Sequence, residues 1–141
     1  MKGGLFNKYS GKKQTMDLIK REGLKKDRLP GRVIQKAVGK DASSVSGKMT
    51  MGFARYSDES GPMEPHHHEE EIVYILSAKD GWARIGGTPD KLGDPVTLEA
   101  GMTLHFPVLE WHVFEFKPGG HVDIIFFYGQ VEQIRPEEMK Q

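Results

Sequence analysis

The sequence predicts an all-β domain, a sandwich or small barrel, behind a short N-terminal segment that is part helical and part irregular. Three observations carry this. Short runs rich in β-branched and aromatic residues recur from residue 32 to residue 129. Turns bearing Gly and Pro, such as "DESGPMEP", "TPDKLGDP" and "KPGG", separate them. Helical periodicity is scarce, so strand–helix–strand units have little to build from.

Taken in order, residues 1–30 read as an N-terminal extension. Its best helix candidate is "QTMDLIKREGL", residues 14–24, with Thr15 as N-cap and Gly23 as stop. Residues 31–130 read as the β domain. "RVIQKAVG" (32–39) and "GKMTMGFARYS" (47–57) supply the first two strands, then Gly61, Pro62 and Pro65 interrupt. "EIVYILSA" (71–78) and "GWARIGG" (81–87) follow. "VTLEAGMTLHFP" (96–107) gives one or two strands broken near Gly101. "HVFEFKPGG" (112–120) ends in a turn, and "HVDIIFFYG" (121–129) closes the series. Residues 131–141 form a polar tail.

At 141 residues the chain fits one domain with one core. Its 20 Lys and Arg balance 20 Asp and Glu. The basic residues are dispersed, apart from Lys12, Lys13, Lys20, Arg21, Lys25, Lys26 and Arg28, which read as a solvated face. Nucleic-acid and membrane partners are therefore not expected. The absence of cysteine excludes disulfides, thiolate metal sites and a thiol nucleophile. The start lacks the apolar run of a signal peptide, and no segment is long enough to span a bilayer, so a cytoplasmic protein is expected.

The chemistry is concentrated in "EPHHHEEEIVYIL", residues 64–76. Imidazole and carboxylate together suit a divalent transition metal such as Zn, Mn, Fe or Ni. A His-Glu run alone could equally be a solvated loop. A second ligand source lies in "GMTLHFPVLEWHVFEF", residues 101–116.

Here the sequence resembles the cupin family. Its first motif is kept as His66-x-His68 followed by Glu71. Its second is kept as Gly101, Pro107 and His112 at the family's spacing, with Leu109 in place of the second glycine and Phe116 in place of the asparagine. Ala78 stands where the first motif's closing glycine is expected. The resemblance covers roughly residues 45–130. It implies a double-stranded β-helix, or jelly-roll barrel, with His66, His68, Glu71 and His112 as metal ligands at its mouth.

Strand alternation is an independent check. Val73 and Ile75 share a face with Glu71, and Phe114 and Phe116 share one with His112, as inward-facing positions should. The gap from His68 to Glu71 is one residue short of the family pattern. A straight chain would put His67 on Glu71's face; a turn or bulge after His68 would restore His66 and His68. His67 and Glu70 therefore stand as alternate ligands.

His105 is the candidate acid–base residue, with a rim histidine as the competing reading. Tyr128 is a candidate pocket phenol, His121 a turn-flanking residue. Arg55 would bind a substrate anion if Met49, Met51 and Phe53 face inward, and would be a surface charge if Thr50, Gly52, Ala54 and Tyr56 do. Trp82 and Trp111 are candidates for a subunit contact. A metal-dependent enzyme acting on a small oxygenated molecule is the leading reading, of dioxygenase, isomerase, decarboxylase or lyase type. The alternatives are a non-catalytic small-molecule module and a metal-free sugar isomerase or epimerase barrel. A homodimer is expected, because sheet edges need cover.

Overall fold

The computed structural model describes residues 15–132 and 134. Lys12, Lys13, Gln14 and most of the polar tail lie outside the described residues. Among the described residues eight strands form one sheet: β1 (Asp27–Leu29), β2 (Arg32–Gly39), β3 (Ser44–Val45), β4 (Thr50–Ser57), β5 (Glu71–Gly86), β6 (Val96–Thr97), β7 (Thr103–Phe106) and β8 (Trp111–Tyr128). The order is β1-β2-β4-β8-β5-β6, with β3 joining β2 and β7 joining β5. All pairings are antiparallel except β2 with β3. The hydrogen-bonded path is not closed; β1 and β6 are its ends. Among the described residues no helix is long and apolar enough to cross a membrane.

Alternation explains the core. On β5, Glu71, Val73 and Ile75 are buried while Ile72 and Tyr74 are exposed. On β4 the inward set is Gly52, Ala54 and Tyr56, so Arg55 faces solvent. Tyr56, Val73, Ile75, Phe106, Phe114, Val122 and Ile124 lie together in a single apolar cluster. Ile134, in the stretch read as a polar tail, is also buried in it.

Two expectations are corrected. The helix expected over residues 14–24 is only a 3-10 turn, Arg21–Gly23. Met16 and Leu18 are 82% and 79% exposed, so the segment has no apolar face to bury as a helix. It is instead strapped to the sheet's outer face. Arg21 makes two hydrogen bonds of 2.7 Å to Asp123, and the Gln35 side chain donates to the carbonyls of Arg21 and Leu24.

The strands expected at 71–78 and 81–87 are one, as are those at 112–120 and 121–129. β5 and β8 pair from Ile72–Phe127 through to Gly86–Trp111, with register shifts between Ile75 and Ser77 and between Lys79 and Gly81. Asp80 lies within the second shift at φ 50°. A bulged residue absorbs the bend without ending the ladder, so turn-forming residues here do not separate strands.

Leu109 has φ 62°. It occupies the motif position where glycine was expected, and left-handed backbone explains that preference: a side chain there costs about 1–2 kcal/mol. Glycine would remove that cost but lose about 1 kcal/mol of chain entropy. Leu109→Gly is therefore expected to leave stability unchanged or raise it by up to ~1 kcal/mol in urea unfolding. A larger loss would show that the half-exposed leucine contributes packing that outweighs its backbone strain.

Candidate metal centre

The loop before β5 and the start of β8 meet as a two-sided bridge. His66 N–H donates to the His112 carbonyl at 3.0 Å, and His112 N–H donates to that of His66 at 2.9 Å. Leu109 N–H donates to the His68 carbonyl at 2.8 Å, fastening the second loop to the first. The chain bends at Glu69 before entering β5. That bend settles the parity question: His66, His68 and Glu71 share one cavity.

Ligating atoms of His66, His68 and His112 all lie within 4.8 Å of one another. Each ring has its Nδ1 on a backbone carbonyl: His66 on Glu64 at 3.3 Å, His68 on Glu69 at 3.0 Å and His112 on Glu110 at 3.0 Å. A carbonyl only accepts, so Nδ1 carries the proton and Nε2 is left with a lone pair. His112 Nε2 is buried and has no hydrogen-bond partner among the described residues. Burial, then the neighbouring imidazoles His112 and His68, lower the His66 pKa to about 2; burial, then His68, lowers that of His112 to about 3. Both rings are neutral near pH 7, as metal ligands must be.

Glu71 stands beside them, its Oε1 3.4 Å from His68 Nε2 and 3.8 Å from His112 Nε2. Burial pushes its pKa up to about 8, a shift opposed by the hydroxyl of Tyr128, which donates to Oε2 at 2.9 Å. The Tyr128 oxygen is also 3.3 Å from His68 Nε2. Burial and Glu71 raise the Tyr128 pKa, keeping it a neutral donor. An unpartnered buried imidazole nitrogen, two further Nε2 lone pairs and a carboxyl group form a donor set that fits Zn, Fe, Mn or Ni. Bonds of about 2.0–2.1 Å place ligand atoms at most about 4.2 Å apart across a metal. The imidazoles would therefore close slightly on binding.

His67 and Glu70, the alternates, are not brought in. The His67 ring packs against Trp111 at 4.2 Å. Glu70 lies outside and accepts from His105 at 2.6 Å. His105 lies outside as well: its side chain is 61% exposed and does not line the cavity. Phe106 is buried on the inner face, so alternation turns its neighbour His105 outward. His121 meets Ser77 at 2.9 Å, away from the cavity.

Arg32, Tyr56 and Ile34 line the cavity with the candidate ligands, Ala54, Phe126 and Tyr128. None of the three was singled out from sequence. Arg32 heads the apolar strand "RVIQKAVG", two residues before Ile34, and that alternation was the available signal. The cavity measures about 30 Å³. That is room for one or two water-sized groups.

No family model matches the sequence, and no curated protein matches it. Solved structures do share its fold. The polyketide cyclase RemF from Streptomyces resistomycificus aligns with TM-score 0.62 and 21% identity over 80% of this chain and 78% of its own. Lactobacillus farciminis oxalate decarboxylase aligns with TM-score 0.61 and 12% identity over 80% of this chain, which spans 33% of it. The hydroxypropylphosphonic acid epoxidase of S. wedmorenis aligns with TM-score 0.57 and 12% identity, covering 79% of this chain and 58% of its own. With its antiparallel β architecture and these likenesses, the chain has the cupin fold.

Proposed function

We propose that the protein binds one divalent transition metal through His66, His68 and His112, with Glu71 as fourth ligand, and is an enzyme acting on a small oxygenated molecule. The observation that carries this is the set of three Nε2 lone pairs facing a buried cavity, one of them without a partner among the described residues. When bound, the metal supplies Lewis acidity and a point at which oxygen atoms of the substrate can be held.

The chain's own residues do the rest. Backbone carbonyls at 64, 69 and 110 orient the imidazoles, an outer support that ligating histidines commonly need. Tyr128 orients Glu71, and it holds a proton 2.9 Å from that carboxyl. Ile34, Ala54 and Phe126 exclude water. With His105 outside, Tyr128 takes the acid–base role given to that histidine from sequence. An oxalate decarboxylase, an epoxidase and a polyketide cyclase among the fold neighbours support enzymatic chemistry without selecting a reaction.

The test is elemental analysis of untagged protein, with titration of apoprotein by Zn, Mn, Fe(II) and Ni salts. Near-stoichiometric uptake of one ion is expected, and absence of uptake of any of them would overturn the reading. The loaded protein is then offered small hydroxy and keto acids and sugars. Turnover is expected, whereas binding without turnover would favour the non-catalytic module. Ile72, Tyr74 and Phe127, exposed on the outer face of β5 and β8, support a homodimer. Sedimentation of the same sample at the mass of one chain would exclude it.

A further inference from the structure

Two phenols line the cavity, Tyr56 on β4 and Tyr128 at the end of β8, and their hydroxyls differ. That of Tyr128 donates to Glu71 at 2.9 Å and lies 3.3 Å from His68 Nε2. That of Tyr56 has no hydrogen-bond partner among the described residues. Tyr56 is nevertheless only 6% exposed. A hydroxyl taken out of water without a partner costs free energy, so a native fold that keeps one calls for an explanation.

The position is built. Tyr56 belongs to the inward set Gly52, Ala54 and Tyr56, and its ring packs on Phe114 at 4.9 Å. Phe114 lies 6.4 Å from the His112 ring, so one aromatic cluster carries both the phenol and a candidate ligand. Glu71 acts electrostatically on Tyr56, and Tyr56 on Tyr128, which places the phenol oxygen toward the donor set. Burial, then Glu71, raise the Tyr56 pKa, so near pH 7 the group presented is O–H. Other donors on this wall are tied back. The three imidazole Nδ1–H groups donate to backbone carbonyls, and Arg32 Nη1 donates to the Pro30 carbonyl at 3.0 Å. The cavity of about 30 Å³ has room for one or two water-sized groups. Whatever enters it therefore meets the phenol and the donor set together.

We infer that Tyr56 reads the ligand: its hydroxyl donates a hydrogen bond to the ligand atom that enters beside the metal. It thereby selects compounds whose inner end is an accepting oxygen, such as hydroxy, oxo and carboxyl compounds, over those that end in sulfur. This rests on the metal reading above. Sulfur accepts hydrogen bonds weakly and would leave the buried hydroxyl unsatisfied. An oxygen lone pair satisfies it, most strongly when the oxygen is ionised. Proton transfer stays with Tyr128, while Tyr56 sets which atom is accepted.

Fluoride and chloride are the probes, one a strong acceptor close to oxygen in size, the other a weak acceptor close to sulfur. Each is titrated into Co(II)-loaded protein in buffer free of other halides, with the cobalt visible spectrum as readout. The variant is Tyr56→Phe, which keeps the ring against Phe114 and removes only the oxygen. It is expected to weaken fluoride binding by about tenfold or more, as loss of a hydrogen bond to a charged acceptor should, and to leave chloride binding nearly unchanged. Cobalt stoichiometry and the urea midpoint of the apoprotein are expected to stay as in wild-type protein. Undiminished fluoride binding, equal weakening of both anions, or no fluoride binding by wild-type protein would overturn the inference and leave the metal site standing. A lowered urea midpoint or failure to fold would show that the hydroxyl is bonded within the protein, and would overturn it as well. Failure of wild-type protein to take up cobalt would overturn the metal reading and this one with it.

Discussion

Replacement of His112 by alanine is expected to lower metal affinity a hundredfold or more, about 2.7 kcal/mol. The His112 Nε2 is a buried nitrogen without a hydrogen-bond partner among the described residues, so a metal gives it an interaction it otherwise lacks. The substitution leaves the loop in place, because the bridge between His66 and His112 uses backbone groups that alanine keeps. It does remove a ring stacked on Phe106 at 4.2 Å. Some stability is therefore lost along with the ligand.

The control is His105→Ala, which removes an exposed imidazole paired with Glu70 and should leave metal binding unchanged. Competition with a chromophoric chelator measures both variants. If His112→Ala binds as wild-type protein does, the second loop contributes no ligand. If His105→Ala loses binding, the outward placement of that residue has been misjudged.

The second large effect is on pH. In the apoprotein His66 and His112 stay neutral to about pH 2 and 3, whereas in the unfolded chain both take up protons below about 6.5. As pH falls below that value the unfolded state binds more protons, and stability falls. Glu71 acts in the opposite sense. Its carboxyl stays protonated in the fold up to about pH 8, while the unfolded chain releases that proton from 4.5 upward. Stability from this group therefore falls as pH rises through that interval.

Near pH 5.5 the two histidines outweigh the one glutamic acid, giving a loss of roughly 1 kcal/mol per unit of acidification. Near pH 7.5 the glutamic acid outweighs them, and stability falls with rising pH. The apoprotein should thus show a maximum near pH 6.5, read by urea unfolding at three pH values. As the proposed fourth ligand, Glu71 must be ionised for metal binding. Below pH 8 it should therefore release about one proton and strengthen about tenfold per unit of pH. Calorimetry in buffers of different ionisation enthalpy counts that proton. Metal affinity that does not change between pH 6 and 7.5 would remove Glu71 from the ligand set.

Much of the scaffold was legible before any coordinates. The strand at 32–39 falls where its residues predicted, and Glu71, Val73 and Ile75 do point inward while Ile72 and Tyr74 do not. Alternation has a fixed period of two, so a strand with a mixed face declares its own orientation. The same rule turns His105 outward beside buried Phe106, in keeping with the rim position that the sequence left open for it. The segment at 14–24 did not form the expected helix. Its contacts are to Gln35 and Asp123, far along the chain, and local propensity does not register them.

The sequence by itself determined that this is a β protein in which two histidine-bearing segments, separated by more than 40 residues, carry the donor types that suit a divalent metal. Those properties reside in side-chain type, alternation and spacing. Only the tertiary structure decided which histidines meet, because a single bend at Glu69 reverses the faces of everything before it. It alone brought Arg32 and Tyr56 to the same cavity. Their strands owe that position to pairing with partners distant in sequence, and a register spanning the sheet leaves no trace in any one segment.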